Sequence, residues 1–232
     1  MKGSTLAKLD KPLLKRGVCI SFEGLDGCGK SSLIIRIIEF LEELGIPYIQ
    51  TREPGGTKVA EQLRFMVLDP SNHDMHMVTD TMMYATARSS LIHSVVLPAL
   101  AERKIVILDR YIDSSIAYQG YGSGQSEEFI QKIKLVNEFA ASNLVPDRTY
   151  LIDIPLEESF KRTGMRAKEN QTDLDRIEQR ESEFHGRVYH GFHKIAEQEP
   201  ERVVVVDGTQ SREQVFEDVW NDFKRLLYEN LK

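Results

Sequence analysis

The feature that most narrows what this chain can become is the run from Gly17 to Ser32, where an apolar segment, a glycine-rich turn and a helix start follow one another directly. Within it, Gly24-Leu25-Asp26-Gly27-Cys28-Gly29-Lys30-Ser31 fits the pattern G-x-x-x-x-G-K-[ST] throughout. The pattern carries chemistry only where a strand enters it and a helix leaves it, because backbone N–H groups must converge on an anion at a helix N-terminus. Val18-Cys19-Ile20-Ser21-Phe22 supplies the strand, and Leu33, Ile34, Ile37, Ile38, Leu41 and Leu44 recur at helical spacing behind Ser31. The glycines let the backbone close around a phosphate, Lys30 reaches the β- and γ-phosphates as a point charge, and Ser31 offers a hydroxyl to magnesium. Residues Gly24 to Ser32 are thus the expected cradle for the phosphates of ATP. A bare turn would require neither Lys30 nor Ser31.

At 232 residues the chain is long enough for one large domain or two small ones. Its net charge of −6 argues against a general polyanion-binding surface, so nucleic acid is not an expected partner and phosphates must be met by individually placed arginines. The two cysteines, Cys19 and Cys28, exclude a disulfide framework and suggest a reducing, cytoplasmic location. Residues 1–16 are basic around Pro12 and lack the apolar centre of a signal peptide, so they read as a disordered extension ahead of a single domain over 17–232. No stretch approaches the ~18 apolar residues of a membrane span.

Four further apolar runs follow: Tyr48-Ile49-Gln50-Thr51, Ile105 to Leu108, Tyr150-Leu151-Ile152 and Val203 to Val206. Helical spacing is expected after Thr57 to about Leu68, from Val78 to Glu102 with a break or bend near Pro98, and from Glu127 to Ala141. It returns from Leu156 to Thr163, from Arg176 to Glu197, and in a final stretch marked by Val215, Val219, Phe223, Leu226 and Leu227. Strands alternating with helices give an α/β, doubly wound domain on a five-stranded parallel sheet. Gln119 to Gly124 reads as a flexible loop, and the polar residues at about 163–176 as a short mobile lid. Charged clusters fall where open parallel sheets bind ligands, at strand carboxyl ends: Arg52-Glu53 after the second strand and Asp109-Arg110 after the third.

FEGLDGCGKSS (22–32), TREPGGT (51–57), YATAR (84–88), DRYIDSSIAYQG (109–120) and LDRIE (174–178), in that order, resemble the thymidylate kinase family over nearly the whole chain from Gly17. The resemblance implies a P-loop fold of the nucleoside monophosphate kinase type, transfer of the γ-phosphate of ATP to dTMP with Mg2+, and a homodimer. Carried over residue by residue, it places Arg52 on the acceptor phosphate, Arg110 between acceptor and donor, and Asp109 on magnesium through water. Tyr84 and Arg88 would hold the base by stacking and by a hydrogen bond to O4, with tyrosine standing where the family usually has phenylalanine. Ser115 would contact thymine N3, and Tyr118 would crowd the 2′ carbon and so favour deoxyribose. Asp26 either approaches the acceptor sugar near its 3′-hydroxyl or merely caps the turn. Family members with small residues in the phosphate loop, as Gly27-Cys28 here, supply arginine from the lid, which makes Arg166 and Arg176 the catalytic candidates. Arg162 would stack on adenine.

Two other activities compete. A deoxynucleoside kinase would use Glu53 to deprotonate a sugar hydroxyl, and a P-loop switch protein would bind nucleotide as a signal, although no N-K-x-D guanine motif is present. His73, Asp74 and His76 lack metal-ligand spacing, and His185, His190 and His193 read as surface positions on a helix. Cys28, beside a helix N-terminus, is a candidate for inactivation by oxidation or alkylation.

Overall fold

The computed structural model describes residues 14 to 231. Five strands form one parallel sheet in the order β2-β3-β1-β4-β5, with β1 Val18–Glu23, β2 Tyr48–Arg52, β3 Ile105–Asp109, β4 Arg148–Asp153 and β5 Val203–Asp207. β1 lies at the centre, every one of its six residues buried, because helices cover both faces and leave no polar side. Alternate residues serve opposite layers. Val18, Ile20 and Phe22 pack against α1 (Lys30–Glu43) and α9 (Arg212–Asn230), where Ile34, Ile37, Trp220 and Phe223 close the core. Cys19 joins Val106 and Leu108 beneath Leu91, Ile92 and Val96, while Leu151 and Val203 meet Phe184, Val188 and Phe192 of α8 (Ser182–Gln198).

The helices α2 (Lys58–Leu68) and α3 (Met77–Leu91) pack against one another. Thr57 caps α2, its hydroxyl accepting the Ala60 N–H at 3.1 Å, and the His76 ring caps α3. The bend expected near Pro98 is a π-helical turn over Ile92–Val96 that leads into α4 (Leu97–Ala101). Proline has no N–H and its ring clashes with the carbonyl four residues earlier, so the register loosens just before it. After β3 come α5 (Ile112–Ser115), a second π turn over Ile116–Gly120, and α6 (Glu127–Ala140).

Four local expectations need correction. Gln119 to Ser123 is not a flexible loop but helical backbone packed on α8, where Cβ atoms at Gly122 and Gly191 would come within 3 Å of Phe184, Val188 and Tyr121. The helix beginning at Leu156, α7, runs on to Asn170 and stops at Gln171 in a left-handed conformation, so most of the presumed lid is its last turns. Arg176 to Gln179 is turn, and Arg180 a bend, rather than helix. Of the N-terminal extension, residues 1–13 lie outside the described residues, but Leu14 is buried in an antiparallel bridge with Leu231 and Lys15 donates its N–H to the Asn230 carbonyl at 2.7 Å. The two ends of the described chain are tied together across the α1/α9 core. Among the described residues no helix is long and apolar enough to cross a membrane.

Candidate active site

The phosphate loop leaves β1 at Gly24 and enters α1 through Gly29, whose φ of 102° serves as the helix N-cap without any side-chain cap. The first N–H groups of α1 are thereby left to an external acceptor, the arrangement that suits a phosphate. Lys30 folds over the loop, donating to the carbonyls of Gly24 and Leu25 at 3.1 Å each and lying 3.5 Å from the Cys28 sulfur. Ser31 and Ser32 face the open side, and the Ser31 hydroxyl donates to Asp109 Oδ2 at 3.3 Å. Gly24 to Ser32 therefore occupy the predicted positions, joined by Asp109 from the end of β3.

A cavity of about 890 Å³ opens above this loop. Its walls carry Lys30, Arg52, Arg110, Arg162 and Arg166 from the sequence candidates, together with Arg36, Arg64 and Arg212. These cations outnumber the carboxylates of the same walls, Asp26, Glu53, Asp109, Glu169 and Glu213, and the loop geometry suits a phosphate. A narrower pocket of about 100 Å³ adjoins it, lined by Tyr84, Arg88, Ser115 and Tyr118. Asp26, Glu53, Arg64 and Arg110 line both, which makes their cluster the seam between a phosphate-rich chamber and a partly aromatic one.

Arg110 sits at the centre of that seam. Its backbone holds φ 68°, an uncommon value for a residue with a side chain, and its guanidinium donates to the Gly24 carbonyl and Ser114 hydroxyl at 3.0 Å and to Asp26 at 2.8 Å. Burial by itself would raise the Asp26 carboxyl, but Arg110 and Lys30 outweigh it and hold the group down at about 2. Asp26 is thus a fixed anion beside the phosphate loop, and its Oδ2 also accepts the Tyr118 hydroxyl at 3.4 Å. The Arg110 guanidinium lies over the Tyr118 ring, 5.1 Å from its centre. The simple role of turn cap does not describe this carboxylate.

In the narrow pocket Arg88 is fully buried, with Nε and Nη2 donating to Glu53 Oε2 and Nη1 donating to Asn137 Oδ1 at 2.6 Å. Ser115 is buried as well, and its hydroxyl has no partner within the protein. A buried hydroxyl without a partner is costly, and this one lines the narrow pocket. Tyr84 stands half-buried on the wall, four residues before Arg88 on the same helix face.

The lid arginines separate. Arg166 is half exposed, lines the large cavity and pairs with Glu178. Arg162 reaches the loop, donating to the Gly27 carbonyl at 3.5 Å while Glu158 steadies it at 2.8 Å. Arg176 does not join them. Its side chain is buried in an ion pair with Asp80 of α3, its Nε donates to the Val67 carbonyl, and it lines neither cavity. The cause lies in its neighbour: Asp175 accepts the N–H groups of Ile177 and Glu178, forming a tight turn that sends Arg176 back toward α2 and α3. His185, expected at the surface, is buried edge-on between Phe160 and Phe184, and burial lowers its pKa.

Arg64 was invisible to motif reading yet touches both cavities, its Nη1 donating to the Pro54 carbonyl at 3.0 Å. The signal was present: Arg64 lies four residues after Ala60 and three before Val67, the two buried positions of α2, so a cation interrupts an inward-facing stripe.

Comparison with known proteins places the chain in one family. The sequence model of the family described as thymidylate kinase matches residues 22–219. The chain belongs to the thymidylate kinase family. It is 43% identical to a thymidylate kinase of Symbiobacterium thermophilum over 215 residues, covering 92% of this chain and 94% of that one. A thymidylate kinase of Thermoanaerobacter pseudethanolicus is 42% identical over 212 residues, 91% of this chain and 100% of the relative. Among solved structures, the thymidylate kinase of Ehrlichia chaffeensis superimposes with a TM-score of 0.70 at 29% identity, covering 90% of this chain and 99% of the other.

Proposed function

We propose that this chain transfers the γ-phosphate of ATP to dTMP, forming dTDP and ADP in the route to dTTP. The observation that carries the reading is the seam: one cavity built around a phosphate loop and a second built around Tyr84, Arg88 and Ser115 share Asp26, Arg64 and Arg110. A phosphate monoester is already anionic, with its second pKa near ~6, so the acceptor needs no strong base. What opposes the reaction is the approach of two anions, and the loop lysine with Arg52, Arg110 and Arg166 supplies the compensating charge. In this reading Arg52 holds the acceptor phosphate, Arg110 spans the two phosphates, and Arg162 stacks on adenine. The deoxynucleoside kinase alternative asks Glu53 to act as a base; Arg88 holds its Oε2 while its Oε1 is buried without a partner, so the acceptor assay below decides between the two.

Magnesium fits this site. Ser31 and Asp109 present two hard oxygen donors in contact with each other at the mouth of the phosphate loop, a sparse protein set suited to an ion that completes its shell with phosphates and water. Ser31 would bind it directly and Asp109 through water, and the ion would neutralise phosphate charge. We further read the protein as a cytoplasmic homodimer. Phe65 on α2, Met82 on α3 and Leu135 and Phe139 on α6 expose large apolar surface, with Phe139 90% exposed, on helices that neighbour one another. Sedimentation at micromolar concentration would detect the dimer.

The deciding experiment measures ADP release with dTMP, thymidine, dUMP, CMP and AMP supplied separately. Turnover on dTMP supports the reading. Turnover on thymidine without turnover on dTMP overturns it.

A further inference from the structure

The buried carboxylate at the end of β1 has no part in the mechanism above. Glu23 is fully buried immediately before the phosphate loop. Its Oε1 accepts the Tyr111 N–H at 2.7 Å and its Oε2 accepts the Ser114 hydroxyl at 2.5 Å. Ser114 in turn accepts from Arg110 Nη1 at 3.0 Å. A serine hydroxyl has one proton; once that proton goes to Glu23, only lone pairs face the guanidinium. The carboxylate therefore dictates which way the hydroxyl points, and the hydroxyl fixes one edge of Arg110. The Tyr111 contact holds the other end of the same segment, adjoining the residue whose φ is 68°.

We propose that Glu23 is a positioning residue for phosphoryl transfer: acting through Ser114, it fixes the direction in which Arg110 presents its guanidinium at the seam between the two cavities. The proposal rests on the phosphotransferase reading. Arg110 is also held by the Gly24 carbonyl, by Asp26 and over the Tyr118 ring, and Ser114 adds a second acceptor on Nη1 whose direction Glu23 sets. The charged groups facing Glu23 are Asp113 on α5, itself paired with Arg202 just before β5, and Arg110 after β3. Burial first and Asp113 second raise its carboxyl to about 8. When protonated, Glu23 donates to Ser114 and leaves the hydroxyl proton free to turn toward Arg110, so only the ionised form fixes the hydroxyl's lone pairs on the guanidinium.

The test begins with the wild-type protein, since absence of dTMP-dependent ADP release would overturn the functional reading itself. Given that turnover, Glu23→Gln and Ser114→Ala should each lower kcat by about 10- to 100-fold, the usual effect of removing a group that orients a reacting one, with KM for either substrate changed less. The double variant should be no slower than the slower single one, because both substitutions cut one chain of contacts. The wild-type kcat should rise through a limb near pH 8 that both variants lack. Additive losses in the double variant, or a pH profile identical in wild type and Glu23→Gln, overturn the proposal. If Glu23→Gln does not fold, Ser114→Ala decides: an unchanged kcat ends the idea, and restoration by Ser114→Thr of a lost kcat supports it.

Discussion

Glu53 and Arg88, thirty-five residues apart, form an ion pair at 2.5 Å with side chains only 4% and 1% exposed. The pair stands behind the narrow pocket and is completed by Asn137. Breaking such a pair strands a buried charge, so Glu53→Ala should cost about 3–5 kcal/mol, a fall of roughly 10 °C in melting temperature for a domain of this size. The double variant Glu53→Leu/Arg88→Met should recover much of that loss while raising the KM for dTMP about 10- to 100-fold, the worth of a hydrogen bond from a charged donor. Melting curves and acceptor titrations separate the two effects. A double variant with wild-type KM for dTMP would falsify the role of Arg88 in holding the base.

The two lid arginines should behave as different kinds of residue. Arg166 faces the large cavity from α7, and Arg166→Ala is expected to lower kcat about 1,000-fold with the melting temperature little changed. Arg176→Ala instead leaves Asp80 buried without its partner, so the expected loss is in stability, again about 3–5 kcal/mol. Adding Asp80→Asn should return part of it. Stopped-flow kinetics beside thermal melts would show the division, and equal losses of kcat at wild-type stability would refute it.

That division marks where the sequence was legible and where it was not. The apolar runs of the five strands and the glycine pattern after β1 are local signals, and each led to the right element. From sequence alone α7 ends too early, because Gly164 suggests a stop and the residues after it are polar. In the structure Gly164 faces open space, and the solvated side chains from Arg166 to Asn170 carry no apolar repeat to announce a helix. Arg176 was misplaced because its partner Asp80 lies ninety-six residues earlier, and a pairing of that range leaves no local trace. Arg64 could have been found, since a cation on the buried stripe of α2 breaks the expected alternation.

Asp26 should give the protein an acid-labile contact. Its folded pKa of about 2 lies below the unfolded value of about 3.9, so its pair with Arg110 stabilises the fold above pH 4 and is lost as pH falls toward 2. Asp26→Asn should remove about 2 kcal/mol at neutral pH and little at pH 2. Urea titrations of both proteins across pH 2 to 7 provide the check. Parallel curves for variant and wild type would show that the carboxylate is not held by Arg110.

Gly27 explains why the loop carries no arginine and the lid does. Its φ is +76°, and a Cβ there would lie 2.9 Å from the Arg162 Cβ and 3.3 Å from both the Ser159 carbonyl oxygen and Thr163 Oγ1. Ser159 also binds the loop, its hydroxyl donating to the Asp26 carbonyl at 2.7 Å. α7 is therefore seated against the loop at Gly27, and that seating is what carries Arg162 and Arg166 to the cavity. Gly27→Ala should push α7 outward at a backbone cost of about 1 kcal/mol or more, raising KM for ATP and lowering kcat while leaving KM for dTMP near its original value. Gly27→Arg should fail to rescue Arg166→Ala, because the guanidinium could enter the cavity only by displacing the helix that forms its wall. Rescue to within tenfold of wild-type kcat would show that loop and lid arginines are interchangeable on this backbone, and that the contact at Gly27 does not decide between them.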